Sequence, residues 1–146
     1  MDLDRLFSIA GAVAMTGWLT LAVSVLFNWP ALRRLIPALV IPLGLSVAYV
    51  ALVVKGFPGA EGGFGSLDQV ATLFRSREML LAGWIHYLAF DLLVGTMLAR
   101  ENEQVGIPRL LMIPVFAATF LFGPAGYLAF HALRGIAGRR PLGASA

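Results

Sequence analysis

Apolar residues run almost unbroken through four stretches of the chain, and polar residues gather between them. The stretches cover residues 3–27, 36–54, 79–98 and about 108–133. Crossing a hydrocarbon core of about 30 Å takes roughly 20 helical residues, so each is long enough. The pattern predicts an all-α, polytopic membrane protein with four transmembrane helices. They form one membrane domain over 1–134, followed by a polar, flexible tail over 135–146. The segments 28–35 and 100–107 are short, which makes helices one and two, and helices three and four, antiparallel neighbours. The first run exceeds the 7–15 apolar residues of a signal-peptide core and reads as a retained helix.

Segment 55–78 is the one sizeable polar stretch between helices. Gly56, Pro58, Gly59, Gly62, Gly63 and Gly65 make its first half irregular. Ser66 followed by Gln69 then has the form of a capping box. Leu67, Val70, Ala71 and Phe74 continue at helical spacing, predicting a short amphipathic helix that lies at the membrane surface or re-enters it. Ser76 is placed to cap the third helix. Pro37 and Pro108 suit helix starts. Pro42, Pro114 and Pro124 lie deeper and predict bends. Gly123-Pro124-Ala125-Gly126 is the strongest break, read here as a helix kink with close packing through its glycines.

Composition agrees with the membrane reading. Of the 146 residues, 59% are hydrophobic and only 13% charged, against about 25% charged in a typical soluble domain. Mean hydropathy is +0.83. The net charge of +3 is carried by ten arginines and one lysine scattered at the ends of apolar runs. That is the pattern of interfacial anchors, and it argues against a nucleic-acid surface. Without cysteine, disulfides, thiolate metal sites and Cys nucleophiles are excluded. Seven basic residues (Arg5, Lys55, Arg75, Arg77, Arg134, Arg139 and Arg140) fall on the side of the termini and four (Arg33, Arg34, Arg100 and Arg109) on the other. The positive-inside rule then puts both termini in the cytoplasm, with a cell inner membrane as the expected location.

Asp91 is the residue this pattern does not explain. A carboxylate at the centre of a membrane helix costs roughly 2.5–3.5 kcal/mol on insertion scales, so it marks a candidate site. The alternative is structural glue, hydrogen-bonded to a neighbouring helix. At 100° per residue, Trp84, Tyr87 and Asp91 share one face of the third helix, and Tyr87–Asp91 is an i, i+4 pair able to touch. His86 lies about 140° from Asp91. The two reach a common cavity only if this helix is central. Gly83 lies within that arc and allows close backbone approach. Together the set offers a carboxyl, an imidazole and a phenol in an apolar surround, where such groups can give and take protons.

Other candidates are weaker. Glu61 and Asp68 flank the Gly-rich loop, yet with His86 or Asp91 they lack metal-ligand spacing. No metal or cofactor is expected. Residues 62–66 precede a helix and can offer backbone donors to an anion, but without a P-loop Lys or preceding strand a re-entrant turn is the better reading. Lys55 sits at a helix end, where it snorkels. His131 is expected to be interfacial.

Gly-Gly-Phe-Gly-Ser-Leu at 62–67, Trp-Ile-His-Tyr-Leu-Ala-Phe-Asp-Leu at 84–92, Gly-Ile-Pro at 106–108 and Leu-Phe-Gly-Pro-Ala-Gly at 121–126 resemble the abscisic-acid-deficient-four-like family of small four-helix membrane proteins. The resemblance covers about residues 3–133. Its plant members are chloroplast membrane proteins required to make neoxanthin from violaxanthin, a neoxanthin-synthase function. The resemblance implies an isomerisation of a 5,6-epoxide to an allenic alcohol, which needs an acid for the epoxide oxygen and a base for the adjacent polyene carbon. Asp91, His86 and Tyr87 match the family's motif and carry those roles. Trp84, Phe90, Phe64 and Phe120, with Glu61 and Asp68, are the residues expected to bind the ring end. The chain shows no Arg- and Ser-rich transit peptide and looks bacterial. Fold and site position therefore transfer better than the substrate.

Three functions follow. The first is an enzyme that binds a carotenoid-like isoprenoid and isomerises its ring end. The second is a pigment- or lipid-binding scaffold, or an accessory subunit of a carotenoid enzyme. The third is a small proton-linked carrier, against which the lack of an internal repeat argues. Expected partners are a hydrophobic small molecule and membrane lipids, not nucleic acid, with homo-oligomerisation open.

Overall fold

The computed structural model describes residues 2–137. Helix α1 spans Leu3–Leu26, opened by Asp2, whose carboxylate accepts from the Asp4 and Arg5 amides at 3.1 and 3.3 Å. The chain reverses through Asn28, which takes φ +56°. Helix α2, Pro30–Leu35, follows at once, runs through a π-helical segment, Ile36–Val40, and continues as α3, Ile41–Gly56. The second span therefore begins at Pro30 rather than at Ile36. Proline at a first helical position loses no hydrogen bond, so Pro30 starts the helix sooner than Pro37. Pro37 lies within the π segment and Pro42 just beyond it, and the wider turn absorbs both.

A 3-10 turn, Phe57–Gly59, leads into the Gly-rich loop and the short helix α4, Leu67–Leu73. Ser66 caps α4 by accepting from the Gln69 amide at 3.2 Å, and the Gln69 side chain reaches back to the Gly65 amide at 3.0 Å. The expected stripe is only partly used. Leu73 and Val70 turn inward, while Leu67 is 84% exposed. Gly62, at φ +92°, lies against α4, and a β-carbon there would sit 2.7 Å from the Leu73 nitrogen. Gly62→Ala is expected to cost about 1–3 kcal/mol for that backbone state and to free the loop from α4. Limited proteolysis should then cut 60–66 several-fold faster.

Helix α5, Arg77–Val105, starts at Ser76, which accepts from the Met79 amide at 3.4 Å, and ends at Gly106 with φ +76°. It is the central element, packing against α1, α3, α6 and α7. Helix α6 is Arg109–Phe122 and α7 is Pro124–Ala137. Residues 135–137 of the expected tail thus continue α7, and 138–146 lie outside the described residues. Small residues let the helices close up. Gly17 faces Leu92 and Ile41, and Gly95 faces the Trp18 ring, where a β-carbon would come within 2.6 Å. In a bilayer such packing, rather than hydrophobic burial, holds helices together. Leu19, Val47, Val54, Leu110 and Leu128 accordingly point outward.

Among the described residues three helices are long and apolar enough to cross a membrane: Leu3–Leu26, Pro30–Gly59 and Arg77–Val105. The fourth apolar stretch is not one kinked span. At 1.5 Å per residue, α6 and α7 are each about 21 Å long, short of a ~30 Å core. The Arg109 guanidinium donates to the Leu26 carbonyl at 3.3 Å, so α6 starts beside the C-terminal end of α1. The Tyr87 hydroxyl donates to the Phe120 carbonyl at 2.7 Å, so α6 ends beside the middle of α5. Helix α7 then returns, and its Arg134 pairs with Glu101 near the C-terminal end of α5. The two form a hairpin whose tip, Gly123, reaches the level of Asp91. The reason is Gly123 itself. At φ +36° and ψ −87° it turns the chain back on itself, and Gly126 packs directly onto Thr119.

The hairpin moves Arg134 to the end of the bundle opposite Leu3. Among the described residues, Arg5, Lys55, Arg75 and Arg77 then lie at one end and Arg33, Arg34, Arg100, Arg109 and Arg134 at the other. Four against five removes the charge bias read from the sequence, while Arg139 and Arg140 lie outside the described residues. His131 sits along α7 between Tyr127 and Phe130, its rings 4.4 and 5.4 Å from theirs, with a buried Nε2 that has no hydrogen-bond partner.

Candidate functional site

Asp91 lies at the midpoint of α5, fourteen residues from either end. Its carboxylate meets the hairpin tip. A β-carbon on Gly123 would stand 2.6 Å from Oδ1, and only the absence of that atom lets the helix break come so close. Oδ2 is buried and has no hydrogen-bond partner. A buried polar atom left unpaired costs about 1–3 kcal/mol, so it is a feature a purely structural residue tends to avoid. Tyr87, one turn earlier on the same face, neighbours the carboxyl but does not donate to Oδ2. The hydroxyl's proton goes to the Phe120 carbonyl, an acceptor near the end of α6.

Trp18 of α1 completes the surroundings. Its ring packs on Phe116 and Phe120 at 6.3 and 5.8 Å, and its Nε1 is buried without an acceptor. The hairpin is thus met by an unpaired carboxylate oxygen from α5 at its tip and by the Trp18 ring of α1 along α6. Sequence reading did not select Trp18, Thr119 or Gly95. Trp18 and Gly95 lie on different helices and become partners only through α1–α5 packing.

The other residues expected at the site fall in several places. His86 is on another face of α5, exposed, stacked on Phe90 at 4.5 Å and near Tyr49 at 5.5 Å. Phe90 goes with it. Phe64 stacks on Phe57 at 6.0 Å and is 74% exposed. Glu61 and Asp68 line a shallow surface depression with Gln69 and Thr72. Among the described residues no group of three or more His, Asp and Glu side chains converges as metal ligands would. Trp84 and Phe120 remain with Tyr87, Trp84 through a ring contact at 5.4 Å.

Trp84 also forms the wall of an apolar groove of about 450 Å³ between the N-terminal halves of α1 and α5. Phe7, Phe74, Leu80 and Gly83 line it, and Arg77 and Asp4 pair at 2.6 Å on its rim. The Phe74 ring lies over Gly83, where a β-carbon would sit 3.2 Å away. The volume is in the range of small-molecule sites. Neither Tyr87 nor Asp91 lines this groove; Trp84 on its wall touches the Tyr87 ring, one turn before Asp91 on the same helix.

No match was found among curated proteins or among solved structures. The family model described as ABA DEFICIENT 4-like matches residues 5–130, which takes in most of α1, all of α2 to α6, the first half of α7 and the hairpin tip. The chain is a membrane protein that belongs to the ABA DEFICIENT 4-like family.

Proposed function

We propose that this protein binds a carotenoid-like isoprenoid and isomerises its oxygenated ring end by proton transfer at Asp91. The observation that carries the reading is the buried, unpaired Oδ2 of Asp91 beside the break at Gly123. An unsatisfied carboxyl at the middle of a membrane helix is costly unless protons or a ligand use it. The apolar groove supports the substrate class. Its aromatic walls suit a polyene, and Trp84 on its wall contacts Tyr87, the residue one turn before Asp91. The family resemblance supports the reaction class.

Conversion of a 5,6-epoxide to an allenic alcohol moves one proton on and one off, with no net redox change. A single carboxyl performs both steps. Protonated Asp91 donates to the epoxide oxygen as the ring C–O bond breaks. The resulting carboxylate takes the proton from the adjacent polyene carbon, and the electrons of that C–H bond complete the allene. Asp91 ends as it began. Tyr87 positions the hairpin tip through Phe120, and the Trp18 ring packs behind Phe116 and Phe120. His86 has no part in this scheme.

The separation of His86 from Asp91 favours a second reading, a pigment-binding scaffold without catalysis. One experiment divides the two. The protein is purified in neutral detergent, supplied with a 5,6-epoxycarotenoid such as violaxanthin, and followed by absorbance and chromatography without added redox cofactor. Allenic product is the expected result. Bound pigment without product assigns the scaffold, and absence of both removes the isoprenoid reading.

A further inference from the structure

We propose that a polar chamber at the opposite end of the bundle is a binding site for a phosphate group, as carried by an anionic phospholipid headgroup or by free phosphate. The chamber, about 620 Å³, lies where the α1–α2 turn meets the α5–α6 turn. Arg33, Arg34 and Arg109 line it, with Asn28, Asn102 and Glu103. It shares no residue with the groove or with the hairpin tip, so it stands whether or not the isomerase reading holds.

Arg33 makes the case. Its side chain is only 5% exposed, and arginine is almost never fully buried unless paired. Its Nη2 donates to Glu103, but its Nε is buried without any partner. Three guanidinium groups and one carboxylate line the chamber, leaving an excess of +2. A guanidinium offers five donors in a rigid fork that matches phosphate oxygens, and one half-exposed glutamate uses few of them. An anion entering here meets three guanidinium groups whose donors that glutamate does not exhaust.

The surroundings hold the site in shape. Asn102 accepts from the Ile107 amide at 2.8 Å and donates to the Ile107 carbonyl at 2.9 Å, which pins the α5–α6 turn over Arg33. Arg109 is tethered to the Leu26 carbonyl at 3.3 Å. Glu101 does not compete for these arginines, being paired with Arg134. The depth is also right. Phe27 stacks on Trp29 at 5.5 Å, both more than half exposed, in the manner of aromatic anchors at headgroup level. Lipid phosphates occupy that level.

The test uses the full chain in neutral detergent. Its melting temperature is measured alone and with phosphatidylglycerol, phosphatidylcholine or inorganic phosphate. Phosphatidylglycerol is expected to raise the melting temperature by about 5 °C at saturating ratios, and phosphatidylcholine to do far less. The shift should vanish in the double variant Arg34→Gln/Arg109→Gln, which removes exposed side chains and leaves the Arg33–Glu103 pair intact. Arg33→Gln should abolish it too, and the double variant decides the matter if Arg33→Gln does not fold. A shift from inorganic phosphate alone, lost in the double variant, supports the site and names free phosphate as its source. Equal shifts from both lipids, a shift that survives in the double variant, or no shift from any of the three probes overturns the proposal.

Discussion

Asp91→Asn is expected to lower epoxycarotenoid turnover by at least about 100-fold, the usual contribution of a positioned acid or base, while leaving bound pigment and melting temperature nearly unchanged. Asparagine keeps the size of the side chain and can still fill the space beside Gly123. It cannot release and recover a proton at neutral pH. If Asp91 were only interhelical glue, the amide would serve equally well and turnover would persist. If the carboxylate were essential for packing, the variant would melt lower and lose pigment together with activity. Turnover, pigment stoichiometry and melting curve measured on one preparation separate the three cases. Persisting turnover would refute the assignment of Asp91 as the proton-transfer group.

The second large effect is expected at Gly123. Gly123→Ala should destabilise the protein by about 1–3 kcal/mol for the backbone conformation alone, with a further cost from the clash. The residue takes φ +36° and ψ −87°, a region L-residues rarely enter, and the new methyl would stand 2.6 Å from Asp91 Oδ1. Either the carboxylate moves or the hairpin opens, so activity should fall with stability. Gly44→Ala is the control, since a β-carbon there meets nothing within 4 Å. Thermal melting in detergent should show Gly123→Ala well below the parent and Gly44→Ala close to it. Equal curves would mean that the chain does not reverse tightly at this point.

Much of the bundle was legible because local rules decide it. A run of some twenty apolar residues must be helical in a bilayer, since its backbone polar groups have no other partners. Hence α1 and α5 appear where hydropathy puts them. Ser66 and Ser76 cap the helices they precede because capping depends on residues three positions apart. The same holds for Trp84, Tyr87 and Asp91, which share a face because helical geometry leaves no alternative.

The candidate site itself was only half visible. Asp91 stood out as a charge in an oily run, and periodicity joined Tyr87 to it. Nothing local said that Tyr87 would give its proton to Phe120, that the Trp18 ring would pack on the same hairpin, or that His86 would pack on Phe90 instead. Those outcomes depend on which helix lies against which face of α5. Hydropathy is equally blind to direction: a 26-residue apolar stretch that crosses once and two 14-residue helices that enter and return look alike along the chain.

Chain chemistry alone therefore settled helical class, membrane environment and the presence of a costly carboxyl, because each follows from groups a few residues apart and the solvent around them. Packing settled the rest. Gly123 could be a bend or a reversal until Asp91 and Thr119 were placed beside it, and Arg33 could be an interfacial anchor until Glu103 and the α5–α6 turn enclosed it. In both instances the deciding contacts join residues dozens of positions apart, and no local periodicity encodes them.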